Sequence, residues 1–349
     1  MKKLLLSFVV LPGALATAQV GINTDEPKAM LDISAKDDQK GDLRIEGVEE
    51  KSTQWLLVWD EEDQKVKRTS LSDLKWDIII VDKEKINYIR DKQPGRAGEI
   101  INKIKQCTPQ NIVFDKHFGD GKHDFVYCAT TVSEGGYNRT WLNLNLGAAY
   151  ADINNPDFDP TVNKVNKTGE TIHRDKNLYG SLYQWQRASD GHEFRDSETT
   201  PKLADTWTDT GEAAGKFITI GNNNDFNWVE NGKGASDSDL ELWRAGRVNN
   251  PCPSGFHVPT LEEWQQLINA VRSNNQMYTQ NKLPNLAVAG YRSYNRNGLL
   301  DEVGTEGHCW SSSVSNSNRA YHVSSLSGHI TMNDSDRAIG LSVRCIKNN

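Results

Sequence analysis

Five cysteines standing behind an export leader constrain this chain more than any other feature. Lys2 and Lys3 give a positive start, Leu4 to Leu11 form an apolar run, and Ala16-Thr17-Ala18 supplies a small-residue cleavage site. The apolar run is too short to cross a bilayer. Residues 1–18 therefore read as a signal peptide, and the mature chain begins near Gln19. No cysteine follows the cleavage site to carry a lipid. Outside the cytoplasm thiols pair and stay paired, so Cys107, Cys128, Cys252, Cys309 and Cys345 are expected in disulfides. Zinc is the competing role, but there is no CxxC pair and no Cys/His cluster at zinc spacing. An odd number leaves one thiol free or shared between chains.

The 349 residues exceed one ordinary core. Hydrophobic residues make up 36%, with Gly, Asn, Ser and Asp abundant, which suits short elements joined by long surface loops. Ten tryptophans either build the core of such a fold or line a binding surface. A net charge of -7 without a basic stripe argues against nucleic acid and anionic membrane as partners. No stretch after the leader is a transmembrane segment. The expected location is secreted, cell-surface or periplasmic.

Three stretches follow the leader. Residues 19–75 hold short strand-like runs, among them Ala29 to Ile33, Leu43 to Ile45 and Leu56 to Trp59, between charged turns. None builds a core alone, so a β-rich stalk or homo-oligomerisation segment is expected. Its opening, Gln19-Val-Gly-Ile-Asn-Thr24 with Pro27 and Ala29-Met-Leu-Asp-Ile33, resembles the N-terminal leader of many exported Bacteroidetes proteins. Residues 76–106 read as a connector. Asp77 to Val81 forms a strand there, and Ala97 to Lys105 a helix after a Pro94-Gly95 break.

Residues 107–349 carry the strongest signals. Thr260 to Val271 predicts a helix with a Thr260/Glu263 capping box and one apolar face of Leu261, Trp264, Leu267, Ile268 and Val271. Leu178 to Arg187 predicts a second helix. Leu142, Leu144 and Leu146 alternate with Asn143 and Asn145, and Ile339, Leu341, Val343 and Cys345 share a face, both as in strands. Leu286 to Ala289 and Tyr321 to Val323 are shorter strand candidates. The pattern describes an α+β, loop-rich domain.

In this stretch Asn250-Pro-Cys-Pro-Ser-Gly-Phe-His-Val-Pro-Thr260 with Glu263-Trp264, Ala289-Gly-Tyr-Arg292, Gly307-His-Cys-Trp-Ser-Ser312 and Gly340-Leu-Ser-Val-Arg-Cys345 follow one another in order. So do Trp141-Leu-Asn-Leu-Asn-Leu-Gly147 and Tyr179-Gly-Ser-Leu-Tyr-Gln-Trp185 upstream. Together they resemble the Fibrobacter succinogenes major paralogous domain family. That family is similar to the formylglycine-generating-enzyme and C-type-lectin-like folds. The resemblance implies a C-type-lectin-like domain over residues 107–349 and the family's Cys252–Cys345 disulfide. Cys107 with Cys128 is the next expected pair. Cys309 stands where the family pattern holds Tyr, and is expected to be the unpaired thiol.

No catalytic motif emerges. The closely spaced cysteine pair of formylglycine-generating enzymes is absent, as are a GxSxG elbow, an HExxH helix and a phosphate-binding glycine loop. His308 and Cys309 are neighbours on a strand, where adjacent side chains point apart. Calcium is a candidate cofactor at Asp152, Asn154, Asp157 and Asp159, since hard cations want several oxygens on a loop. The oxygen-rich run Asn222 to Asp225 is another. A ligand surface is expected in the long loops before the last strands, on Tyr291, Arg292, Tyr294, Asn295, Trp310, Asn316 and Asn318. There aromatic faces stack, while Asn and Arg direct hydrogen bonds. The expected function is a non-catalytic binding module for an extracellular glycan, protein or peptide. The alternative is a structural subunit or cap of a surface fibre.

Overall fold

The computed structural model describes residues 20–22, 31–33, 55–60, 65–70, 83–162, 174–220, 226–232, 235–271, 286–326 and 329–349. The leader, Leu43 to Ile45, the Asp77 to Val81 strand and the Asn222 to Asp225 run lie outside them. The chain divides into two compact units, Met1–Leu56 and Leu57–Asn349. In the first, β1 (Val20–Ile22) pairs in parallel with β2 (Leu31–Ile33).

The second unit mixes helix and sheet and is rich in strands. β3 (Trp55–Asp60), which starts two residues before the boundary, forms a two-stranded sheet with β4 (Lys65–Ser70). α1 (Lys83–Lys92) and α2 (Ala97–Lys105) follow, separated by the Pro94-Gly95 turn. The segment expected as a connector thus holds two packed helices. Ile89, Ile100 and Ile104 are fully buried in one apolar cluster with Val126, Ile153 and Phe158.

A five-stranded antiparallel sheet is assembled from distant pieces. β5 (Ile112–Phe114), β6 (Val126–Glu134), β7 (Tyr137–Leu142), β11 (Phe256–His257) and β18 (Ile346–Lys347) lie in the order β11-β18-β7-β6-β5. A second sheet, β13-β12-β17-β8, joins Leu300–Asp301, Tyr291–Arg292, Gly340–Leu341 and Tyr183–Gln184. β9 (Thr199–Thr200) and β10 (Phe217–Ile218) form a small parallel pair. The longest ladder is the meander β14 (Glu306–Val314), β15 (Arg319–Leu326) and β16 (His329–Asp336). α3 (Leu261–Val271) carries the expected capping box: Thr260 Oγ1 accepts from the Glu263 amide, and Glu263 Oε2 accepts from the Thr260 amide.

The stretch from Leu178 to Arg187 is not a helix. It is a 3-10 turn, an extended crossing and the two residues of β8. Gly147 and Gly180 explain this. Both have left-handed backbone, and a Cβ on Gly180 would stand 2.4 Å from the Leu146 carbonyl oxygen. The two glycines let the segments cross in contact, with the Ser181 amide donating to that same oxygen. Leu286 to Ala289 is likewise irregular, and β7 ends at Leu142, with Asn143 and Asn145 beyond it and buried.

Trp141, Trp185, Trp228, Trp243, Trp264 and Trp310 are all fully buried. The indole N–H groups of Trp185, Trp228, Trp243, Trp264 and Trp310 donate to the carbonyls of Ser311, Trp185, Arg187, Trp310 and Tyr183. Irregular chain leaves carbonyls without ladder partners, and a buried indole supplies both apolar volume and the missing donor. These tryptophans are core, not binding surface. Two disulfides, Cys107–Cys128 and Cys252–Cys345, tie the unit. The second closes a 93-residue separation and stabilises by about 4–5 kcal/mol in the chain-entropy view. Among the described residues, no helix is long and apolar enough to cross a membrane.

Candidate functional site

The expected ligand residues separate into those the core consumes and those the surface keeps. Trp310 is fully buried, and the Tyr183 carbonyl accepts its indole N–H. Arg292 is also buried. Its guanidinium lies 4.4 Å from the Phe217 ring and donates to the carbonyls of Phe194, Ser197 and Gly298. Both side chains hold backbone carbonyls of other segments. Tyr294 is buried with its hydroxyl on Asp336 at 2.6 Å. Asn295 and Asn316 are exposed, and Tyr291 and Asn318 half-buried. The side chain of Asn316 caps the amides of Asn318 and Arg319, fixing the turn between β14 and β15.

The oxygens of the acidic loop expected for calcium are engaged partly within the loop and partly by Gln93 and Asn177. Asp152 Oδ1 accepts from the Asn154 amide and Nδ2, Asp159 Oδ1 from Thr161, and Asp157 Oδ2 from Asn177. Asn154 Oδ1 accepts from Gln93. The carboxylates of Asp152 and Asp159 cap turns.

Under the β14–β15 turn lies a residue that sequence reasoning missed. Arg337 follows β16 and is 1% exposed. Its backbone is pinned on both sides: the amide donates to the Asn318 carbonyl, and the carbonyl accepts from the Trp185 amide. The guanidinium lies 4.8 Å from the Trp185 ring and 5.8 Å from the Trp207 ring. One Nη2 hydrogen goes to the Asn316 carbonyl at 2.6 Å. Nε and Nη1 have no protein partner. Ring faces stabilise the cation but do not accept its in-plane N–H groups. Burial, with no carboxylate to offset it, lowers the Arg337 pKa to about 10. The side-chain oxygen of neighbouring Gln186 is also buried without a partner. Nothing in Asp336-Arg337-Ala338 marks this in the sequence, because the signal is the absence of a carboxylate in three dimensions.

The buried charges around Glu193 are closed. Arg187 is held by Asp190 at 2.7 Å and by the carbonyls of Ala213 and Lys216. Glu193 meets His123 Nε2 at 2.7 Å and the Gly191 amide at 2.9 Å. His192 Nδ1 meets Asp190 at 2.7 Å, and its Nε2 accepts from the Gln184 amide. Burial opposes the ionised Glu193, but His123 and His192 outweigh it and hold the carboxyl at about 2. Cys309 is the one free thiol, buried on the face of β14 opposite His308. Burial pushes it up to about 11, so it is protonated and poorly nucleophilic.

Compared with protein-family models, curated proteins and solved structures, the chain matches none.

Proposed function

We propose that this chain is an exported, non-catalytic binding module of the C-type-lectin-like kind its motifs resemble, and that it grips an anionic group of an extracellular ligand. The observation that supports this reading is the guanidinium of Arg337. A buried cation with three unmet N–H donors is costly to fold, and a carboxylate or sulfate is the group that such a planar donor array recognises best. The exposed turn at Asn316, one of the loops expected to meet a ligand, lies directly over it. The protonated, buried state of Cys309 adds support for binding over thiol chemistry.

The test is an array of uronic-acid, sialylated and sulfated glycans and acidic peptides, with neutral counterparts, probed with the mature protein. Binding is expected only to acidic members, and Arg337→Gln abolishes it without lowering the melting temperature. Equal binding to neutral members, or full binding by Arg337→Gln, overturns the reading.

A further inference from the structure

The turn that enters β14 brings two carboxylates and an imidazole to one place, well apart in sequence from Arg337. Glu302 adopts left-handed backbone (φ 55°). The amides of Thr305 and Glu306 both donate to its carbonyl, which folds Glu306 back over Glu302. β14 begins at Glu306, and side chains two apart on a strand share a face. His308 therefore follows Glu306 onto the same side. One carboxylate oxygen from each Glu and one ring nitrogen of His308 lie within 4.8 Å of one another.

A second layer fixes the imidazole. His308 Nε2 meets Glu302 Oε2 at 3.0 Å, and Nδ1 meets Ser324 Oγ at 3.1 Å. That hydroxyl is itself positioned by Asn333 Nδ2 at 3.0 Å and His322 Nε2 at 3.1 Å. Anchoring the far ring nitrogen is how proteins orient a metal-binding histidine. A separate observation concerns His322. It is 3% exposed, its ring packs edge-on to His308 at 5.4 Å, and its Nδ1 has no protein partner. Among the described residues no Lys or Arg pairs with Glu302 or Glu306, since nearby Arg296 is engaged by Asp301.

We infer that Glu302, Glu306 and His308 form a binding site for a zinc-class divalent cation. Two carboxylate oxygens and an imidazole nitrogen suit zinc, manganese or iron(II). Calcium wants six to eight oxygens, which this set does not offer. Bonds of about 2.1 Å place tetrahedral ligands roughly 3.4 Å apart, so on binding the wider pairs, at most 4.8 Å apart, close by up to about 1.4 Å, while Glu302 and His308, already at 3.0 Å, part slightly. Side-chain exposure is 39% at Glu302 and 11% at His308, which gives an ion a path from solvent. Three protein ligands leave a coordination position for water or a ligand oxygen. The group Asp190, His192 and Glu193 meets the same distance test. Its atoms are already engaged by Arg187, His123 and backbone amides, so an ion there would have to displace them.

The experiment is calorimetric titration of zinc sulfate into the EDTA-stripped, full-length mature protein. One equivalent binds saturably, calcium chloride does not compete, and Glu306→Gln and His308→Ala each weaken binding at least about tenfold. Glu302→Gln, on an exposed side chain, replaces either variant if its circular dichroism departs from wild type. Asp157→Asn leaves zinc affinity unchanged. Absence of saturable binding, equal competition by calcium, or wild-type affinity in the Glu306→Gln and Glu302→Gln proteins overturns the assignment.

Discussion

The network around Glu193 and the guanidinium of Arg337 both bury charge beside the tryptophan core, but they do so in opposite ways. In the first, each ionised group meets an opposite charge or a backbone amide. In the second, a cation rests on indole faces while its Nε and Nη1 donors point at no acceptor in the protein. A closed network rigidifies and costs heavily when broken. An open one costs the fold while it stands. The difference separates charge that the fold closes from charge that it leaves with unmet donors.

The comparison is sharpest at Glu193. Glu193→Ala strands His123 and is expected to cost about 3–5 kcal/mol in urea unfolding; a loss under about 1 kcal/mol would mean the network is not closed. Arg187→Met leaves Asp190 without its guanidinium partner and is expected to cost about 3 kcal/mol. The same replacement at Arg337 behaves in reverse. Arg337→Met raises the unfolding free energy by about 1 kcal/mol, because no charge is orphaned and unmet donors disappear. A loss of several kcal/mol there would place Arg337 among the closed charges.

The pH dependence separates the two regions further. Burial alone would lower His123, but Glu193 and Asp120 outweigh it and raise the imidazole from 6.5 to about 9. A group raised in the fold contributes fully below its unfolded value, so this stability is lost as pH climbs from 6.5 to about 9. Glu193, lowered from 4.5 to about 2, contributes above 4.5 and loses that contribution as pH falls toward 2. Asp115, raised from 3.8 to about 7 by burial, adds a further loss as pH rises through that interval. Thermal melts across pH should therefore show stability falling from neutrality toward pH 9, and Glu193→Gln should flatten that slope. The smallest effect belongs to the acidic loop, where Asp157→Asn should stay within about 0.5 kcal/mol in the same melts.

What the sequence made legible was local. The Thr260/Glu263 box and the Ile100/Ile104 spacing are written within a few residues, and both helices form where that spacing places them. Leu178 to Arg187 carried a helical pattern too, but its conformation is set by contact with a glycine more than thirty positions earlier. The candidate sites divide the same way. Glu302-x3-Glu306-x-His308 is visible as a spacing, yet reading it requires knowing that β14 starts at Glu306. Trp310 and Arg292 look like recognition residues by type, and only packing shows that both are buried and hold backbone carbonyls of other segments. Arg337 had no sequence mark at all.

The placement of β18 between β11 and β7 has a consequence for how the molecule is made. Ile346 aligns with Trp141, about two hundred positions away, and β11 reaches the rest of its sheet only through that late strand. Until it arrives, the flanks of β7 and β11 remain open edges, so this sheet cannot close progressively as the polypeptide emerges. Assembly must wait for the far segment, and the bridge from Cys345 to Cys252 then locks the inserted strand in place.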